Sequence, residues 1–341
     1  MNFERIMREI TGGLTGDGEK DLRYLKEQAE KYKDHEMGRE IVRGIGRLMF
    51  RCVPEDRRAE LSRVISNDLA SWESVLEEVR FKQHEKKFDE ALALMEGLIR
   101  KFEDADMFSD DRVSEYHCFN EFFEEALYKY HEEPSRELRR AAYPLDVFYT
   151  QYGSLLVDLQ RPEDAEAALA KALRWNPADV RIMFERAETR KVRGDMEGFF
   201  RLTLDAFRYA FRPKQVARCF RNLGFYFTEK ELWEEAAACH TMSLRYDNES
   251  SLAMSELYYI QQTAGRTVQP PKMERFREIS GQYGFPAGAD RDVLGLSYQY
   301  GRLFAEQGNT KAARYCWEIT YGLTNDEDIR KMMDNLLPER E

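Results

Sequence analysis

From Phe148 to Leu159 apolar residues return at three- and four-residue intervals; the run "RPEDA" interrupts, and the same spacing resumes from Ala165 to Trp175. Such spacing places the apolar groups on one face of a helix, so the stretch predicts a helix, a turn and a second helix. Pro162 suits the first turn of the second helix, where its missing N–H costs nothing, and Glu163 and Asp164 put negative charge at the positive end of the helix dipole. Pro177 denies the helical conformation to Asn176, and Asp179 is placed to cap a further helix from Val180. Two helices approach closely only where a side chain is small, which Gly153, Ala165 and Ala172 provide.

The pattern recurs. "CFRNLGFYFTEKELWEEAAACHTMSLRYDN" carries Phe220, Leu223, Gly224, Phe227, Ala236 and Ser243 in corresponding places. "YQYGRLFAEQGNTKAARYCWEITYGLTN" carries Tyr300, Gly301, Phe304, Ala313, Trp317 and Thr320, with Gly308 in the turn. With two weaker copies the small-residue position falls at Gly153, Ala187, Gly224, Tyr258 and Gly301, in steps of 34, 37, 34 and 43 residues. A period near 34 marks a stack of helical repeats. Together with Tyr149, Tyr152, Leu156, Leu169 and Pro177 of the first copy, these positions resemble the tetratricopeptide repeat (TPR) signature.

The resemblance implies an all-α fold, a right-handed superhelical α-solenoid of TPR-like helix-turn-helix repeats over residues 146–341, with copies starting near Asp146, Val180, Ala217, Ser251 and Leu294. Three departures stand out. Arg186 and Arg190 occupy positions the family makes apolar, Phe199 stands where Ala is expected, and "TAGRTVQPPKMERF" and "GQYGFPAGADRD" lengthen the connections around the fourth copy. Over residues 71–145 the match degenerates. "EKKFDEALALMEGLIRKF" resembles a second repeat helix through Phe88, Ala91, Met95 and Leu98, and "EYHCFNEFFEEALYKYHEEPSRELRRAAYP" reads as a degenerate helical hairpin. Residues 1–70 show helical periodicity in "DLRYLKEQAEKY", "MGREIVRGIGRLMF" and "EDRRAELSRVISNDL", as expected of a cap over the array's open end or an effector segment.

The chain has 341 residues, 43% hydrophobic and 13% aromatic, enough for a substantial core. No continuous apolar stretch suggests a secretory leader or a membrane span, and the five cysteines are scattered and odd in number, so a soluble cytoplasmic protein without disulfides is expected. Chemistry is thin. "GLTGDGEK" has glycines at phosphate-loop spacing but carries Glu19 where a lysine should stand, and no strand precedes it. His35-Glu36, His84-Glu85 and His131-Glu132 lack the second histidine of a helical zinc site, and the neighbours His117-Cys118 and Cys239-His240 point about 100° apart on a helix. Neither an enzyme nor a cofactor or metal is expected. A net charge of −11 disfavours nucleic acid as partner.

Charge distribution sharpens this picture. Arg174 to Arg221 holds twelve Lys or Arg against six Asp or Glu, a local excess of six positive charges. The resemblance implies that the first helix of each repeat lines a concave groove. The corresponding positions are Arg181, Phe184 and Lys191 in the second copy, Arg218, Arg221, Asn222 and Phe225 in the third, Tyr259 in the fourth and Arg302 in the last. The first copy offers Val147, Thr150, Ser154 and Asp158, and with Glu185 these break the family's carboxylate clamp for chaperone tails. The expected function is a non-catalytic scaffold or adaptor that binds an acidic or extended peptide of a partner protein. The alternative is a peptide- or ligand-sensing regulator whose array controls an effector docked on the N-terminal helices.

Overall fold

The structure is a computed structural model, and it describes residues 3–53, 72–105 and 109–336. The predicted helix in "EDRRAELSRVISNDL" lies outside the described residues. The chain divides into two compact units. Within the described residues, unit 1 contains α1 (Phe3–Gly12), α2 (Gly18–Tyr32), α3 (Gly38–Cys52), α4 (described over residues 72–84), α5 (Phe88–Ala105), β1 (Ser114–His117) and β2 (Glu137–Arg140). Its N-terminal helices close on a core of their own made by Ile6, Ile10, Leu25, Ile41 and Ile45. "GLTGDGEK" is a capped turn. Asp21 accepts from the Thr15 N–H at 2.7 Å, the Thr15 hydroxyl at 2.9 Å and the Gly16 N–H at 2.9 Å, while Asp17 caps α2.

The segment read as a degenerate helical hairpin is instead strand, helix, strand. β1 and β2 pair in parallel, Ser114 with Glu137 through His117 with Arg140. Parallel strands need a crossover, and here it is α6 (Phe122–Glu132). Pro134 bars Glu133 from continuing the helix, and Glu133 takes a left-handed φ of 43°. By its contacts the crossover, residues 119–133, belongs to unit 2.

Unit 2 is a helical-repeat array. α7 (Leu145–Asp158) pairs with α8 (Pro162–Trp175), α9 (Val180–Val192) with α10 (Met196–Phe207), α11 (Pro213–Glu229) with α12 (Trp233–Tyr246), and α15 (Arg291–Glu306) with α16 (Thr310–Thr324). α17 (Glu327–Asp334) packs on α16. The small residues sit at the crossings. A Cβ on Gly153 would fall 2.8 Å from Leu169 Cγ, one on Gly224 2.5 Å from His240 Nε2, and one on Gly301 2.3 Å from Trp317 Cδ1.

The fourth copy departs from the pattern. α13 (Ser251–Thr263) lies on α12 and α11, whereas α14 (Met273–Tyr283) packs on α12. Both lengthened connections are packed in place. The Val268 N–H donates to Gln261 Oε1, and Phe285 is buried among Phe220, Phe227 and Phe276. Arg186 and Arg190 keep their charge at the α8–α9 seam by sharing Glu166: each guanidinium Nε donates to Glu166 Oε1, at 2.8 and 3.0 Å, and the Thr189 hydroxyl donates to Oε2 at 3.0 Å. Phe199 is buried edge-on to Phe225.

α6 completes the array. Phe123 packs edge-on to Phe211, and Phe122 meets Tyr300 and Phe304 of α15. Glu121 takes the Arg212 guanidinium and the Tyr315 hydroxyl, and Glu132 accepts from Tyr209 at 3.0 Å. Among the described residues no helix is long and apolar enough to cross a membrane.

Candidate functional site

The first helices of the second and third copies, α9 and α11, bring cationic side chains and aromatic rings together on one face. At the centre of that face, on α9 and α11, two cations lie over rings: the Arg218 guanidinium is 4.6 Å from the centroid of Phe184, and Lys191 Nζ is 4.8 Å from that of Phe225. Cation–ring pairs at partly exposed sites are worth about 1 kcal/mol, and they hold long side chains in defined positions. Carboxylates interleave with them. Arg218 reaches Glu185 at 3.4 Å, and Lys191 pairs with Glu188.

The nine residues singled out by sequence do not all converge. Lys191, Arg218 and Phe225 form the layer just described, but Phe184, at 3% exposure, belongs to the core beneath it and is covered by Arg218. Arg181 stands nearby at the start of α9, its side chain exposed, its Nε and Nη2 donating to Asp179 at 3.0 and 2.7 Å. Arg221 turns inward and ties α11 to the end of α12 through Asp247 at 3.2 Å. Asn222 is buried and donates to the Thr203 hydroxyl at 3.4 Å, so its amide serves the core. Tyr259 is half exposed on α13, and Arg302 pairs with Glu306 one turn along its own helix.

Next to this layer, between α7 and α9, lies a cleft of about 400 Å³. One wall is Thr150, Ser154, Val157 and Asp158 of α7; the other is Glu185, Glu188, Thr189 and Val192 of α9; Leu169 of α8 forms part of the floor. Positions i, i+4, i+7 and i+8 share a helix face, which is why the α7 residues project together. Val192 at the rim is 66% exposed. Glu188 and Val192 were missed by reasoning from signature positions, because their role depends on which side of α9 the preceding hairpin leaves uncovered. The signal in the sequence was an apolar valine in the last turn of a polar helix.

A second polar cluster is internal. Glu124, Asp146 and Asp179 are buried beside Asn120 and Asn176. Asn176 Nδ2 donates to Glu124 at 3.0 Å, and Asn120 Nδ2 reaches Asp146 and Asp179, each at 3.4 Å. Asp146 Oδ1 has no hydrogen-bond partner. Burial first, and then the charge of Asp179, raise the carboxyls of Glu124 and Asp146 above the usual range, although hydrogen bonds to each act the other way. Nothing in the pattern of signature positions announced this cluster, since it joins α6 to the starts of α7 and α9. The thiols of Cys219, Cys239 and Cys316 are all raised by burial, Cys316 to about 12, which leaves them in the thiol form.

No protein-family model matches the chain, and no curated protein matches it. Among solved structures it is similar to YrrB, described as a TPR protein with an unusual peptide-binding site, at 15% identity over 63% of this chain and 99% of that one, with a TM-score of 0.30. The helical-repeat architecture of unit 2 rests on its own hairpins and on the small residues at their crossings.

Proposed function

We propose that the chain is a TPR-type, non-catalytic scaffold or adaptor that binds a segment of a partner protein across the first-helix face of unit 2. The observation that carries this reading is the arrangement on α7, α9 and α11: an open cleft beside the side chains of Arg218, Lys191 and the half-buried Phe225, which combine apolar area with fixed charge, while Phe184 lies buried under Arg218. The excess of basic residues from Arg174 to Arg221 supports an acidic ligand segment with apolar anchors. Its carboxylates would join cations that are only partly exposed, and the interaction would weaken with salt over a Debye length of about 8 Å. A cytoplasmic setting goes with this reading, since the free thiols fit a reducing compartment.

The test is capture of partner proteins by the full chain and by an Arg181→Glu, Lys191→Glu, Arg218→Glu variant, with folding checked by melting. Partner capture should fall at least tenfold in the variant. Undiminished capture by a folded variant rejects the surface. Arg221 and Asn222 are left intact because they serve the core. One observation favours the regulatory alternative: residues 3–53 have a separate core of Ile6, Ile10, Leu25, Ile41 and Ile45, which provides a distinct body for an effector.

A further inference from the structure

We propose that unit 1 holds a binding site for a phosphate group, built by Arg47 of α3 and Arg139 of β2. The site is separate from the first-helix face of unit 2 and gives the chain a second kind of ligand. α3 is tied to the chain entering β1: the Arg112 N–H donates to Glu40 at 3.2 Å, Arg112 Nη1 to Glu36 at 2.9 Å, and Arg43 Nη1 to Asp111 at 2.9 Å. The Arg43 guanidinium lies 5.4 Å from the centroid of Tyr116, and Tyr116 pairs in register with Arg139. In-register partners and residues two apart share one face of a sheet, so Ser114, Tyr116, Glu137 and Arg139 lie on the same side. Arg139 Nε accordingly donates to Ser114 Oγ at 2.9 Å. Arg47 stands one turn along α3 from Arg43, on the same helix face.

The cations gathered at this junction are not alike. Arg43, Arg112, Arg136 and Arg139 each meet a carboxylate, those of Asp111, Glu36, Glu115 and Glu137. The part-buried Arg47 side chain makes no hydrogen bond or ion pair among the described residues. Burial, and then repulsion from Arg139, push its guanidinium below the usual range, although Tyr116, Glu137 and Asp111 pull the other way. A guanidinium does not shed its proton to escape such a place, so it stays charged and poorly compensated until an anion reaches it. Arg139 also has donors to spare: its Nε and Nη2 are used by Ser114 and Glu137, and its Nη1 has no partner among the described residues. A carboxylate is planar and is satisfied by one guanidinium fork. A phosphate group carries three terminal oxygens in a tetrahedral array and up to two negative charges, so it accepts from two guanidinium groups that arrive from different elements.

The full chain is titrated by calorimetry with inorganic phosphate, with the ester N-acetyl-O-phosphoserinamide and with acetate, at fixed pH and ionic strength. The phosphate probes should bind saturably and acetate about tenfold more weakly. Arg47→Met keeps the apolar stem and removes the head, and it should weaken phosphate binding by about tenfold or more. Arg140→Gln removes an exposed cation of the same strand and should change binding by less than about twofold, as expected of a screened surface charge. Melting curves check folding; if Arg47→Met does not fold, Arg139→Lys, which keeps the charge without the fork, should still weaken phosphate severalfold. The tighter of the two phosphate probes tells whether the group arrives free or on an ester. No saturable phosphate binding by the parent overturns the site. Equal losses in Arg47→Met and Arg140→Gln, or acetate binding as tight as phosphate, overturn it as well, because they reduce the effect to diffuse positive charge.

Discussion

Gly224 and His240 share one volume. The glycine lies against the imidazole so closely that a Cβ would sit 2.5 Å from Nε2, and the ring is fully buried with neither nitrogen hydrogen-bonded. Gly224→Ala should therefore cost about 1–3 kcal/mol by overpacking. Adding His240→Ala should recover part of the loss, a coupling that a urea double-mutant cycle reads directly. The same ring gives a pH signature. Burial, and secondarily the charge of Arg221, push the imidazole down to about 4 from 6.5. A base with a lowered native pKa stays neutral while the unfolded chain takes up a proton, so this contribution is complete above pH 6.5 and is lost as pH falls towards 4. The loss should reach about 3 kcal/mol. Urea midpoints of the parent and of His240→Ala between pH 7 and 4.5 check it: the parent should fall more steeply, and parallel curves would remove His240 from the account.

At the scale of elements, the seam between α8 and α9 is the place where the repeat pattern is broken and repaired. Burial acts to raise the Glu166 carboxyl, but the bonds from Arg186 and Arg190 outweigh it and hold the group below its usual range. Its contribution is thus present above pH 4.5 and lost as pH falls through the native value. Glu166→Gln should cost about 2 kcal/mol at pH 7, because two part-buried guanidinium groups keep a neutral amide oxygen as acceptor but lose the negative charge that paired them. The urea midpoint at pH 7 measures it, and an unchanged midpoint would show that the seam is held by its apolar contacts alone. The hairpins themselves were legible: Gly153, Gly224 and Gly301 announce helix crossings by their spacing, and the crossings are where the spacing puts them. The Glu166 layer was not, since it joins residues 20 and 24 apart whose charge looked like a defect in the signature. The separation of α13 from α14 was hidden for a related reason. Phe276 on α14 and Phe285 in the connection after it both pack into the aromatic core around Phe220 and Phe227, a preference that no local pattern expresses.

At the scale of the whole chain, α6 and the carboxyl cluster show how distant parts depend on each other. The helix comes from a crossover between two strands of unit 1, yet its side chains and those of Asn120 and Glu121 just before it meet the first, second and last copies of the array in unit 2. Asp146, 1% exposed, has a raised carboxyl pKa. For an acid this stabilises fully below the unfolded value of 3.8 and is lost as pH rises through the native one. Asp146→Asn should therefore raise the melting temperature at pH 8 relative to the parent, with the gain shrinking towards pH 4. A variant that melts lower at both pH values would show that the ionised carboxylate is needed. The strand–helix–strand path of this region escaped the sequence because β1 and β2 are only four residues each and neither alternates in polarity; their pairing is a long-range event.

The seat of α6 also sets the repeat number. An open stack of repeats can lengthen by one unit without disturbing the others, because each touches only its neighbours. Here one short helix and the two residues before it hold Asn176 and Asp179 near the beginning of the array and Tyr300, Phe304 and Tyr315 near its end. A duplicated repeat inserted between those points would pull the last hairpin away from Phe122 and Glu121, so the tally of copies is locked by a segment that is not itself a repeat.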